Sequence, residues 1–322
     1  MKKFLALMVA LVVSLSCVSA FAVTQDEYDT VVRQRDALYQ QLIDAGIEPC
    51  IQLSETVQEA PALVAENETP ASEFVYGSNG SEIRINGFVG DSTEIVIPQS
   101  IDGVPVTMIG DKAFAETKIT SVYIPEGVNH IGKQAFYDCD KLHTVSLPST
   151  VTWLAIECFM GCSRLHTVIG LDHVLQFGTN CFEYCRALKG ELVFDRDVEL
   201  YWGAFSHTGI TGVKFLSGKA KVEYCVFSDS SLTYCYIDEA CDFSFEPYST
   251  NSKFGKFYEC ENLTTLVVPA SVTSFPEYLL NGCKLVTVYA PAGSEAEKFA
   301  NSQFVSVNTA AYEQKVAEFQ SK

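Results

Sequence analysis

The chain has 322 residues, of which 48% are hydrophobic, and a formal net charge of −18. That length and composition bury a large core, in one elongated domain or two compact ones, and exclude disorder over most of the chain. The acidity excludes nucleic acid as a partner, because phosphate binding needs clustered Lys and Arg.

Residues 1–22, MKKFLALMVALVVSLSCVSAFA, join Lys2 and Lys3 to an apolar run from Phe4 to about Leu15 and close on Ala20-Phe21-Ala22. This is the pattern of a secretory signal peptide cleaved after Ala22, and the run is shorter than the ~20 residues of a membrane span. Cys17 offers a lipid attachment point that fits less well, because Leu15 lies two residues upstream of it instead of three. The expected location is secreted or cell-surface.

Residues 23–46 read as one amphipathic helix. Thr24 and Glu27 form a capping box, Tyr28, Val31, Leu38, Leu42 and Ala45 share a face interrupted by Arg35, and Gly46 supplies the stop. Such a helix either docks on its own domain or associates with a second copy through residues 24–46. Residues 47–73 are rich in Glu, Pro, Ala and Thr without a period, and read as an acidic linker. Strand-like residues at Phe74–Tyr76 and Glu82–Ile85 flank Asn79-Gly80, which predicts a hairpin covering the first edge of the domain that begins there.

The rest of that domain is a repeat. Phe114, Phe136, Phe159, Phe182, Phe205 and Phe227 are separated by 22, 23, 23, 23 and 22 residues. Around them recur IGDKAF, IGKQAF, LAIECF and FGTNCF, and downstream come the strand-patterned TSVYIP, HTVSLP, TTLVVP and VTVYAP. A unit this small cannot close its own core, so it must stack on its neighbours as a solenoid. Three residues after each phenylalanine, or its equivalent, stand Thr117, Cys139, Cys162, Cys185, Thr208, Ser230, Cys260 and Cys283. The slot asks for a compact side chain able to hydrogen-bond the adjacent turn.

Register therefore explains most cysteines without chemistry. Thiols strung along an axis do not converge as metal ligands must, and no metal or other cofactor is expected. Cys225, Cys235 and Cys241 lie off the ladder and are the better disulfide candidates. His143 and His166 occupy one slot in successive repeats, which argues against a single catalytic centre, so no enzyme activity is expected.

The unit IGKQAFYDCDKLHTVSLPSTV resembles the BspA-like leucine-rich repeat of bacterial surface and secreted proteins, roughly IGxxAFxxCxxLxxVxIPxxV. The likeness covers about Phe74 to Asn301, with EIVIPQSIDGVPVTMIGDKAF as the entry and VYAPAGSEAEKFA as the close. It implies an α+β solenoid over residues 74–291, of about eight repeats of ~23 residues. A cap over residues 292–322 comes next, in which Ser294 and Glu297 start a short helix while Tyr312, Val316 and Phe319 share a second helical face.

The resemblance further implies adhesion or protein binding through a concave face. On that face stand Ser121, Tyr123, Thr144, Ser146, Thr167, Tyr234, Tyr236, Thr265, Thr287 and Tyr289. The partner implied is a host or neighbouring-cell protein; tyrosines among small hydroxyl residues also suit a carbohydrate, and a third reading makes the solenoid a spacer multimerised by the N-terminal helix. Between Leu192 and Lys256 the motif weakens, and the surplus in Asp238–Gly255 carries Phe243, Phe245, Tyr248 and Phe254. These are either looped-out residues or a ligand loop.

Overall fold

A computed structural model describes residues 68–245 and 255–321. The expected signal peptide, the expected helix over 23–46, most of the expected linker, Tyr248 and Phe254 lie outside the described residues. The predicted hairpin forms from β1 (Phe74–Ser78) and β2 (Ile83–Phe88), antiparallel, with Asn79 accepting from the backbone N–H groups of Ser81 and Glu82 in the turn. Strand β2 then pairs in parallel with Val104–Ile109, so the hairpin covers the first edge of the solenoid.

The chain winds as a coil that lays down two rows of parallel strands. The first row joins Glu94–Val96, Ser121–Tyr123, Thr144–Ser146 and Thr167–Ile169 in one sheet. It resumes with Lys189–Phe194, Gly209–Phe215, Tyr234–Ile237, Thr265–Val267, Thr287–Tyr289 and Ser306–Val307. The middle residue of each short strand, such as Val122, Val145 and Val168, points into the core.

The second row was not anticipated. It runs through Val104–Ile109, His130–Ile131, Trp153–Leu154, Gln176–Phe177, Val198–Leu200, Gly218–Val222 and Cys241–Phe245. Each coil gives it one to three inward side chains, with Ile131, Leu154 and Phe177 fully buried. Here the ligand-loop expectation fails for Phe243 and Phe245. The sequence CDFSF alternates apolar and polar residues, pairs in register with Gly218–Val222, and buries both rings. Phe243 packs edge-on at 4.9 Å from Phe215 and at 4.7 Å from Phe245.

Between the rows the phenylalanines form a ladder. Phe114, Phe136, Phe159 and Phe182 stack at 5.1–5.2 Å between ring centroids with planes within 5–7° of parallel. Phe205 and Phe227 continue it at 5.5 and 6.0 Å, and Phe257 follows at 6.0 Å although it lies 30 residues beyond Phe227. Each ring's backbone N–H donates to the next coil, as from Phe136 to the Cys158 carbonyl at 2.9 Å and from Phe159 to that of Cys181 at 2.8 Å.

The small-residue slot does what its composition asked. Cys139, Cys162, Cys185, Cys260 and Cys283 donate to the phenylalanine carbonyl one coil back, those of Phe114, Phe136, Phe159, Phe227 and Phe257, at 2.9–3.1 Å. Thr117 and Thr208 reach the carbonyl of their own coil instead, at 2.7 and 2.8 Å. Burial pushes four of these thiols up, Cys260 to about 12, and keeps them protonated donors, whereas hydrogen bonds from Cys162 and Thr117 outweigh burial at Cys139 and lower it. The disulfide candidates Cys225, Cys235 and Cys241 are all free thiols, the last two buried in strands where backbone pairing fixes their neighbours.

Two helices close the chain. Helix α1 (Glu295–Ser302) starts as expected: Ser294 Oγ accepts from Glu297 N at 3.2 Å, and the helix buries Ala296 and Ala300 against the last strands. Helix α2 (Tyr312–Gln320) goes elsewhere, and its position bears on the binding face.

Candidate binding face

The outward residues of the first strand row stand in two register lines. In the first half Ser121, Thr144 and Thr167 oppose one another, as do Tyr123, Ser146 and Ile169. All are half-buried, since each leans on its neighbour one strand away. His143 and His166 precede this half, stacked at 5.7 Å with planes 5° apart. The Nδ1 of each lies 3.1 and 2.9 Å from its own Thr144 or Thr167 hydroxyl, a repeated brace and not a reactive pair.

In the second half the lines are Gly212, Tyr234, Thr265 and Thr287, and Lys214, Tyr236, Val267 and Tyr289. Helix α2 lies across them. Phe319 stacks on Tyr236 at 5.0 Å and tilts against Tyr234 at 5.0 Å, while Lys315 Nζ sits 5.2 Å over the Tyr289 ring. Tyr236, Val267, Tyr312 and Phe319 form a separate apolar cluster. Tyr236 therefore departs from expectation. It is fully buried beneath the chain's own helix, because an amphipathic helix with Tyr312, Val316 and Phe319 on one face finds its complement in a row of tyrosines. Thr265, Thr287 and Tyr289 stay half-buried.

Polar groups fix the docking. Tyr236 donates to Asp238 Oδ2 at 2.6 Å, and Gln320 of the helix donates to the same oxygen at 3.1 Å. Burial pushes Asp238 up, but the bonds from Tyr236, the Ala240 N–H and Gln320 outweigh it and hold the carboxyl below its usual range. Burial raises the Tyr312 phenol from 10.0 to about 12. Beneath the helix, Lys214 is buried, 3.3 Å from Glu191, and Tyr234 hydrogen-bonds the same carboxylate.

The outer face of the second row holds groups that sequence reasoning passed over. Gln176 donates to Glu199 Oε2 at 3.2 Å, Tyr201 donates to that oxygen at 2.8 Å, and Lys221 reaches Oε1 at 3.2 Å. Beside them Trp153 leans on His130, with ring centroids 5.7 Å apart. The only available signal was the alternation in VEL and GKAKV, too brief to stand out.

Among the described residues no group of three His, Cys, Asp or Glu side chains could hold a metal ion, and no helix is long and apolar enough to cross a membrane. The BspA-type leucine-rich repeat region matches in six copies, over residues 107–233 and 234–321. The chain belongs to that family. A leucine-rich repeat protein from T. pallidum is 19% identical over 76% of this chain and 99% of its own, with a TM-score of 0.41. A leucine-rich cell surface protein from Faecalibacterium prausnitzii is 18% identical over 71% and 96%, with a TM-score of 0.33. A leucine-rich repeat protein from Bacteroides ovatus is 17% identical over 70% of this chain and 71% of its own, with a TM-score of 0.39. No curated protein matches the chain.

Proposed function

We propose that the chain is a secreted or cell-surface binding protein without enzyme activity, which takes a protein partner on the first half of its first strand row. The observation that carries this is helix α2, a protein helix seated on the Tyr234, Tyr236 and Tyr289 end of the same face. A face that accepts its own helix at one end offers Tyr123, Thr144, Ser146 and Thr167 at the other, on strands paired in the same way but with one tyrosine among the hydroxyl residues instead of three. Its residues are half-buried and their strands paired with neighbours, so the surface is rigid and costs little ordering on binding.

The test replaces Thr144 and Ser146 by Arg together, which adds bulk and charge outside the core. Cross-linking and affinity capture from host cells or neighbouring bacteria should yield a partner that binds the native chain and is lost with the double variant. If every captured partner binds both forms equally, the assignment to this face is wrong. Secretion rests on residues 1–22 and is checked separately, by whether the chain leaves the cytoplasm and begins at Val23.

A further inference from the structure

Both tryptophans of the chain are exposed, Trp153 by 39% and Trp202 by 55%, although indoles are among the most heavily buried side chains on average. Both belong to the second strand row or the turn that leaves it. Trp153, Gln176, Glu199 and Lys221 succeed one another in register on four adjacent strands and therefore stand in one line on the outer face. His130 braces Trp153 at 48° between planes, and the Gln176, Tyr201 and Lys221 bonds to Glu199 hold the polar part of the line. Trp202 comes three residues after Glu199, its backbone N–H bonded to Glu223 Oε2 at 3.1 Å.

We propose that this line is a binding site for a neutral oligosaccharide, with one sugar ring stacked on Trp153 and its neighbours hydrogen-bonded along Gln176, Glu199 and Lys221. A pyranose offers an apolar C–H face and a rim of hydroxyl groups that both donate and accept. An indole beside an ordered amide, carboxylate and ammonium matches that pair of surfaces. Charge selects within the class: Lys221 offsets the Glu199 carboxylate, so the line carries no surplus cation to draw an acidic sugar.

Geometry selects against a peptide strand. Gln176–Phe177 and Val198–Leu200 are each paired with a strand on both sides, so the middle of the line offers no free edge to an added strand. Three strand spacings from Trp153 to Lys221 make a line of roughly 14 Å, the reach of several linked rings and more than a monosaccharide needs. The site shares no residue with the first-row face and does not rest on the protein-binding reading.

The full chain is titrated with neutral oligosaccharides (glucans, mannans, xylans and galactans), with sialylated and uronate-containing glycans as controls. Binding is followed by calorimetry and by indole fluorescence, whose sources are Trp153 and Trp202 alone. At least one neutral oligosaccharide should bind and shift the emission of the Trp202→Phe variant, whose remaining indole is Trp153. Trp153→Ala should then weaken it at least about tenfold and Gln176→Ala about three- to tenfold. Thr144→Arg with Ser146→Arg on the other face should leave it unchanged, and circular dichroism verifies that each variant folds. The proposal falls if no neutral oligosaccharide binds, if only acidic glycans do, or if Trp153→Ala leaves affinity unaltered.

Discussion

Single side chains show how closely this fold constrains its sequence. Cys162 is fully buried and its thiol donates to the Phe136 carbonyl at 3.0 Å, a bond that Thr117 and Thr208 imitate with a hydroxyl in other coils. Cys162→Ser should therefore cost less than about 1 kcal/mol, and Cys162→Ala, which removes the donor, about 1–2 kcal/mol. Denaturant midpoints at constant slope measure both. Gly178 is fixed by proximity, since a Cβ there would lie 2.6 Å from the Leu154 carbonyl oxygen and 2.8 Å from the Ala155 carbonyl carbon of the coil before. Both neighbours are backbone and cannot swing aside, so Gly178→Ala should lose about 1–3 kcal/mol, read in the same way. The cysteine slot was legible because its composition repeats at fixed spacing. The choice between the carbonyl of the same coil and that of the coil before was not, because it depends on atoms brought together only by stacking.

Elements were legible in proportion to their length and their locality. The hairpin announced itself by Asn79-Gly80, and helix α1 by Ser294 with Glu297, because both signals lie within four residues. Strands such as Trp153–Leu154 have two residues and one inward side chain, which leaves no period to detect. The docking of helix α2 joins Gln320 to Asp238 across 82 residues, and no local pattern encodes that choice. Its grip should depend on pH at both extremes. The folded-state pKa of Asp238 is lowered, so its contribution is complete above the ordinary 3.8 and fades as pH falls below that value. The pKa of Tyr312 is raised from 10.0 to about 12, so its contribution is complete below pH 10 and fades as pH climbs toward 12. Hydrogen exchange at residues 312–320, corrected for its intrinsic pH dependence, should therefore show greatest protection between those limits, and Phe319→Ala should lower that protection at every pH while the strand signal in circular dichroism persists. Equal protection in native and variant chains would contradict this docking.

For the molecule as a whole, the repeat made the architecture readable and function much less so, because the residues that define coils are the buried ones. Phe114, Phe136 and Phe159 recur for packing, whereas Trp153 and Glu199 occur once each in their slots and carry no statistical mark. The interior also shields its chemistry. Of the ten cysteines in the described residues, only Cys225 and Cys283 are not fully buried. Among these ten, a thiol reagent added to the folded chain should label Cys225 first and leave Cys158, Cys181 and Cys235 untouched until denaturant is added, as peptide mass mapping would show. Early labelling of those three would mean that the stack opens under native conditions.

The step from Phe227 to Phe257 takes 30 residues, yet the rings meet at 6.0 Å, as Phe205 and Phe227 do. Axial rise and coil perimeter are thus separate variables in this scaffold. A genetic insertion on the perimeter can be trialled without disturbing the pitch that aligns everything above and below it. Such a chain can acquire new surface one coil at a time while its neighbours keep their places.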